Sequence, residues 1–160
     1  MPKTGVFPVF NNKFKVKINS ELTKIAEMTS FSVSIDGNVE EWSPFDQEGW
    51  VKRLVTGKGL TISLQGKRCV GDAGNDYIAG LAFKTGQDCN AEFEWEFPSG
   101  AKLEFNCVIN VTNPGGGEST GVDPLEFDVL SNGKPTFTPA ASTIAAASSK
   151  PVESADSAKK

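Results

Sequence analysis

Glu92, Glu94 and Glu96 stand at every second position, the spacing that places carboxylates on one side of a strand. Paired carboxylates can cleave glycosidic bonds when they flank a substrate. Same-face neighbours on one strand, however, lie roughly 6 to 7 Å apart and imply no concave site, so hydrolase chemistry is disfavoured. The chain has no histidine, which takes away the commonest general base, the commonest metal ligand and the usual partner of a Ser or Cys nucleophile. Cys69, Cys89 and Cys107 have no CxxC spacing and read as buried thiols of a reduced, intracellularly made protein rather than a zinc site. Gly57-Lys58-Gly59 lacks the preceding glycine of a phosphate-binding loop and precedes a strand, not a helix. Asn110-Val111-Thr112 matches a glycosylation acceptor, but inside a strand. No catalytic residue, metal site or cofactor is expected.

The elements that carry the acids explain them better than chemistry does. From Cys89 to Phe97 the odd positions are apolar; after Pro98-Ser99-Gly100 the alternation resumes with Ala101, Leu103, Phe105, Cys107, Ile109 and Val111. This is a β-hairpin with one face in a core and a wet face crowded with like charges, which repel unless something pairs them. Residues 1–24 carry Lys3, Lys13, Lys15, Lys17 and Lys24 against Glu21, whereas Asp88 to Asp128 holds nine acids against Lys102 alone. Lys13, Lys15 and Lys17 read either as the solvated face of a first strand or as a surface attracted to the acidic part of a neighbouring copy. A net charge of -4 over 160 residues gives no drive for tight nucleic-acid binding. Met1-Pro2-Lys3-Thr4 leads into no apolar run, and no stretch approaches the roughly 18 apolar residues of a membrane span, so a soluble protein without membrane insertion is expected.

Strand signals continue along the chain. Phe14–Ile18 alternates; Phe31, Val33 and Ile35 oppose Ser30, Ser32, Ser34 and Asp36, and Asp36-Gly37 reads as the closing turn. Residues 38–57 are irregular; Leu60, Ile62 and Leu64 alternate with Thr61, Ser63 and Gln65. One helix is predicted, with Asp72 as N-cap, Ile78, Leu81 and Ala82 at helical spacing, and Gly86 as its stop. Gly74 and Gly80 would each cost it about 1 kcal/mol relative to Ala. Leu125, Phe127 and Val129 begin a last pair, turning at Asn132-Gly133 and returning at Thr136–Thr138. The organisation is an N-terminal arm (1–9), a β domain (10–138) and an Ala/Ser/Lys-rich tail (139–160) too poor in apolar residues to offset its ordering entropy, hence mobile.

The colinear series Ser34-Ile35-Asp36-Gly37-Asn38-Val39-Glu40-Glu41-Trp42, Asp46-Gln47-Glu48-Gly49-Trp50, Lys52-Arg53-Leu54-Val55-Thr56-Gly57-Lys58, Gly71 to Tyr77, Phe93 to Gly100 and Gly121 to Pro135 resembles the major tail tube proteins of long-tailed bacteriophages. The resemblance spans nearly the whole folded part and excludes the tail. It implies a mainly β fold, a β-sandwich or barrel-like tail tube domain with one flanking α-helix, akin to the type VI secretion tube protein. Inner sheets would join into a continuous β-barrel in a hexameric ring. It further implies a virion protein assembled in the host cytoplasm, whose rings stack head to tail. Its expected partners are itself, a tape measure, a tail terminator and distal tail proteins, with DNA passing through the lumen without tight binding.

Residue by residue, Glu92, Glu94, Glu96, Glu104, Glu126 and Asp128 are candidates for a lumen wall that repels phosphates; an outer face kept soluble by charge is the other reading, and Ser30, Ser32, Ser34 and Asp36 are an alternative lumen strand. Glu40, Glu41, Trp42, Phe45, Trp50, Lys52 and Arg53 are candidates for a ring-to-ring stacking loop. Trp42 and Trp50 could instead be core. Lys52 and Arg53 could be a solvated pair or could bridge rings to Glu40 or Glu41. Two rivals remain: a related tail part such as a terminator or decoration domain, and a sugar-binding β-sandwich that stacks saccharides on Trp42, Trp50 or Trp95.

Overall fold

The computed structural model describes residues 3–140. The tail assigned to 139–160 lies, from residue 141 on, outside the described residues. The strands are β1 (Lys13–Ile18), β2 (Glu21–Lys24), β3 (Met28–Trp42), β4 (Lys52–Lys67), β5 (Asn90–Glu96), β6 (Lys102–Asn113), β7 (Pro124–Ser131) and β8 (Thr136–Thr138), with α1 (Ala73–Gly80) the one α-helix among the described residues. They form a single antiparallel sheet in the order β2-β1-β5-β6-β7-β4-β3, with β8 added alongside β6. The fold is mainly β with a flanking helix, as expected, but the hydrogen bonding is that of one sheet rather than two, and the sheet is not closed on itself.

Alternation decides which face is buried. Val33, Ile62, Val129 and Ile109 are successive cross-strand neighbours on one face, and Ser32, Ser63, Asp128 and Asn110 are successive neighbours on the other. The apolar face closes over itself: Phe14 of β1 meets Phe31 of β3 edge to face at 4.8 Å, although these strands lie near opposite edges of the sheet. Phe93, Phe105, Phe127, Ile62, Leu64 and Ile109 fill the enclosed core, where α1 adds Ile78.

Helix α1 is held by polar bonds as well as by packing. Asp72 caps it, accepting from Asn75 N at 3.0 Å, and also accepts from Ala26 N. Buried Asn75 donates to the carbonyls of Ala26 and Lys67 and accepts from Cys69 N and Arg68. The helix thereby ties the β2–β3 connection to the end of β4. Gly74 belongs to this arrangement, because a Cβ there would collide with the carbonyl oxygen of Lys24; its cost in helix propensity is the condition for close packing. Helix α1 ends at Gly80, with Leu81 as its cap, not at Gly86. Gly86 does adopt a left-handed φ of 68°, but it opens the next short turn.

Three other expectations are corrected, and one strand not foreseen is added. Asp36-Gly37 makes no turn: β3 runs straight through, Asp36 opposite Gly59 and Gly37 opposite Lys58, because pairing with β4 overrides a local turn preference. Residues 38–57 are accordingly not irregular but mostly a ribbon, with the chain reversal at 43–51. β2 was not legible: Asn19 and Ser20, both at positive φ, make a two-residue turn without the usual glycine. β8 pairs with β6, Phe137 opposite Leu103, and so continues the direction of β7; Asn132 to Pro135 is a jog in one edge rather than a hairpin turn.

Candidate functional site

The six acids assigned to a lumen wall lie on the polar face of one sheet. Glu94 is directly opposite Glu104, Glu126 is opposite Gln65 and Asp128 is opposite Ser63. Ser30, Ser32 and Ser34 extend the same face through β3, so the alternative lumen strand and the acids are parts of one surface. What pairs the carboxylates is β1. Lys15 Nζ lies 3.7 Å from both Glu94 and Glu96, and Lys17 Nζ donates to Glu92 Oε2 at 2.9 Å. That bond, followed by the charge of Glu92, raises the Lys17 pKa above its ordinary value. The attraction expected between the basic N-terminal strand and a neighbouring copy is thus met within the chain for Lys15 and Lys17.

The expectation that all six acids face water is corrected for Glu94, which is 1% exposed; its Oε1 has no hydrogen bond among the described residues, only the longer approach of Lys15. Asp128 accepts from Ser63 at 2.7 Å and Glu126 from Asn113 at 2.8 Å. Glu104 is exposed and has no such partner among the described residues. The face is charge-balanced along β1–β5 and acidic along β6–β7.

The stacking candidates lie on a projecting arm. β4 pairs with β7 only over Thr61–Lys67, whereas its pairing with β3 continues out to Trp42 opposite Lys52. Beyond Asp36 and Gly59 the ribbon therefore has two strands only and extends roughly 20 Å from the sheet. A register shift between Asn38 and Val39 sets Val39 opposite Val55 and Glu40 opposite Leu54. Trp42 and Trp50 are 46% and 77% exposed and Phe45 fully so, which excludes the core reading for both tryptophans. Arg53 Nε donates to Glu41 at 2.6 Å across the ribbon, a solvated pair within one copy. Sequence reasoning missed Val33, Ile35, Val39, Leu54 and Val55 as surface residues; all are exposed by 40% or more. The only signal was the unbroken length of the two strands.

These apolar side chains, on the arm and on the adjoining part of β3, have no packing cover among the described residues, and exposed apolar patches of this kind are typical of interaction surfaces. The outer edge of the fifteen-residue β3 is likewise unpaired among the described residues. Among the described residues no group of His, Cys, Asp or Glu is placed to hold a metal, and no helix is long and apolar enough to cross a membrane. Trp95 is half-buried with its ring packed against Phe14, Phe31 and Phe97 and its indole N–H donating to Asn12 Oδ1 at 2.9 Å, which disfavours it as a saccharide platform.

No family model and no curated protein matches the chain. Solved structures do. The tail of an empty gene transfer agent particle, refined helically with C6 symmetry, superposes with a TM-score of 0.70 at 17% identity over 84% of this chain and 100% of that one. The sheath/tube terminator of an extracellular contractile injection system in its extended state gives 0.58 at 13% identity, over 85% and 99%. The tube-terminating cap of the anti-feeding prophage gives 0.57 at 14% identity, over 88% and 95%. The chain shares the fold of these tail, terminator and cap structures.

Proposed function

We propose that this chain is a structural virion protein whose copies close into hexameric rings and stack into a tail tube, the conduit for DNA ejection. The observation that carries the reading is a pair of assembly features on one ribbon: a long β3 edge that is unpaired among the described residues and an exposed aromatic arm at its end. A monomer that kept both in water would be prone to edge-to-edge aggregation. A neighbour that pairs the edge completes the backbone hydrogen bonds, and a head-to-tail contact that closes after a fixed rotation makes a ring. A second head-to-tail contact along the axis, made by the arm, stacks rings without limit. The likeness to a C6-symmetric tail supports six copies per ring.

In this reading the polar face lines the lumen. Glu104, Glu126 and Asp128 hold DNA phosphates off the wall over about 8 Å at physiological salt, and Lys15 and Lys17 are already matched by the acids of β5. The protein has no catalytic role; its partners are its own copies and the tape measure, terminator and distal proteins of the tail. A terminator is the second reading, favoured by the likeness to a tube terminator and a cap.

Negative-stain electron microscopy of the purified protein over a concentration series separates them. Long hollow tubes with a regular axial repeat are expected. Isolated rings at every concentration favour the terminator, and persistent monomers overturn both.

A further inference from the structure

At the opposite end of β3 from the arm, the start of that strand and the start of β1 approach without hydrogen bonding and leave a cleft of about 470 Å³. Phe10, Phe14, Met28 and Phe31 are among its apolar lining, and the exposed Lys13 and Lys24 also line it. Phe10 is 84% exposed there, and across it Phe14 of β1 meets Phe31 of β3. Unlike Lys15 and Lys17, neither Lys13 nor Lys24 has an acid within ion-pair distance among the described residues. They outnumber Glu27, the one acid of the cleft.

The arm tip has the complementary character. Phe45 and Trp50 are its exposed aromatics and Asp46 and Glu48 its exposed acids, all four within 43–51. Tip and cleft are separated by the length of β3, fifteen residues or roughly 45 Å, so one molecule cannot bring its own tip to its own cleft. Two complementary surfaces at opposite ends of one rigid ribbon are what an open head-to-tail stack requires.

We propose that the cleft is the receiving site for the arm of a second copy of this chain in the next ring, with Phe45 and Trp50 seated against Phe10, Phe14 and Phe31 and with Lys13 and Lys24 facing Asp46 and Glu48. This rests on the tube reading and names the partner surface of its axial contact. Burying the aromatics supplies the attraction; the charge pairing sets the register and disfavours cleft-to-cleft or tip-to-tip encounters.

The test is charge reversal with rescue, read by electron microscopy and sedimentation of the full chain. Lys13→Glu with Lys24→Glu should raise the protein concentration needed for tube growth about tenfold or more while leaving rings intact, and Asp46→Lys with Glu48→Lys should do the same. All four changes in one chain should restore tubes. These positions are exposed, and circular dichroism checks that each variant is folded. Tubes that grow normally from either double variant overturn the cleft assignment and leave the tube reading standing. Loss of tubes without rescue in the quadruple variant also overturns it, pointing to another surface, with residues 141–160 as a competing occupant. A wild-type protein that forms no rings or tubes fails the tube reading itself, and this inference with it.

Discussion

At the scale of single residues, burial separates ion pairs that look alike in sequence. Lys15 serves Glu94, whose side chain is 2% exposed, whereas Lys17 and Glu92 are 39% and 54% exposed. Removing one partner of a buried pair strands the other charge, while an exposed pair is screened. Lys15→Ala should therefore cost about 1 to 3 kcal/mol of stability in urea titrations, and Lys17→Ala less than about 1 kcal/mol. Glu94→Gln should recover much of the Lys15→Ala loss; equal costs for the two lysines would disprove the ranking. Cys107 gives a second prediction, in pH. Burial pushes its thiol from 9.0 up to about 12. The unfolded chain then ionises first as pH rises, so the contribution of the buried thiol is present in full below pH 9 and is lost progressively between 9 and 12. Stability should fall through that window in the wild type and fall less in Cys107→Ala, and Cys107 of the folded protein should resist alkylation at pH 8.

At the scale of elements, the arm and the helix answer opposite demands. Residues 38–57 contribute nothing to the buried cluster, so replacing them with a two-residue Asn-Gly turn should leave the melting temperature within about 4 °C of wild type while abolishing tubes. A large loss of stability would show that the arm packs on the domain. Gly74→Ala should act the other way: the new methyl meets the Lys24 backbone, which cannot yield as a flexible side chain can, at a cost of about 1 to 3 kcal/mol in thermal or urea unfolding. The contrast also marks how far sequence goes. Strict alternation made β5, β6 and the first part of β7 legible, and the Asp72 cap fixed where α1 starts. The same local rules misplaced a turn at Asp36-Gly37, because the partner strand that carries β3 onward lies some twenty residues away. They could not foresee that Glu94 is buried while Trp50 is bare, since both outcomes depend on which strand becomes a neighbour: β1 lies beside Glu94, and no described residue covers the arm.

For the whole molecule, the decisive asymmetry is between two faces of one sheet. Most of the apolar face is consumed by the core, which leaves the polar face, the arm and β3 with its exposed Val33 and Ile35 for other molecules. Of the acids on that face, those of β5 are matched by β1 lysines, whereas Glu104, Glu126 and Asp128 have no cation at ion-pair distance among the described residues. If this face surrounds DNA, its work is to withhold attraction, and reversing three charges per copy should turn a slippery wall into an adhesive one. Tubes of a Glu104→Lys, Glu126→Lys, Asp128→Lys variant should retain a short DNA duplex at about 50 mM salt and release it by about 200 mM, as counterion release requires, while wild-type tubes retain none at either. An outward-facing patch would also bind DNA once made basic, so retention alone does not identify the lumen. Nuclease does: duplex held inside the tube should survive digestion, whereas duplex on the outer wall should be degraded at the rate of free DNA. Protection by variant tubes alone would assign the acidic face to the lumen, and degradation in both would move it to the outside.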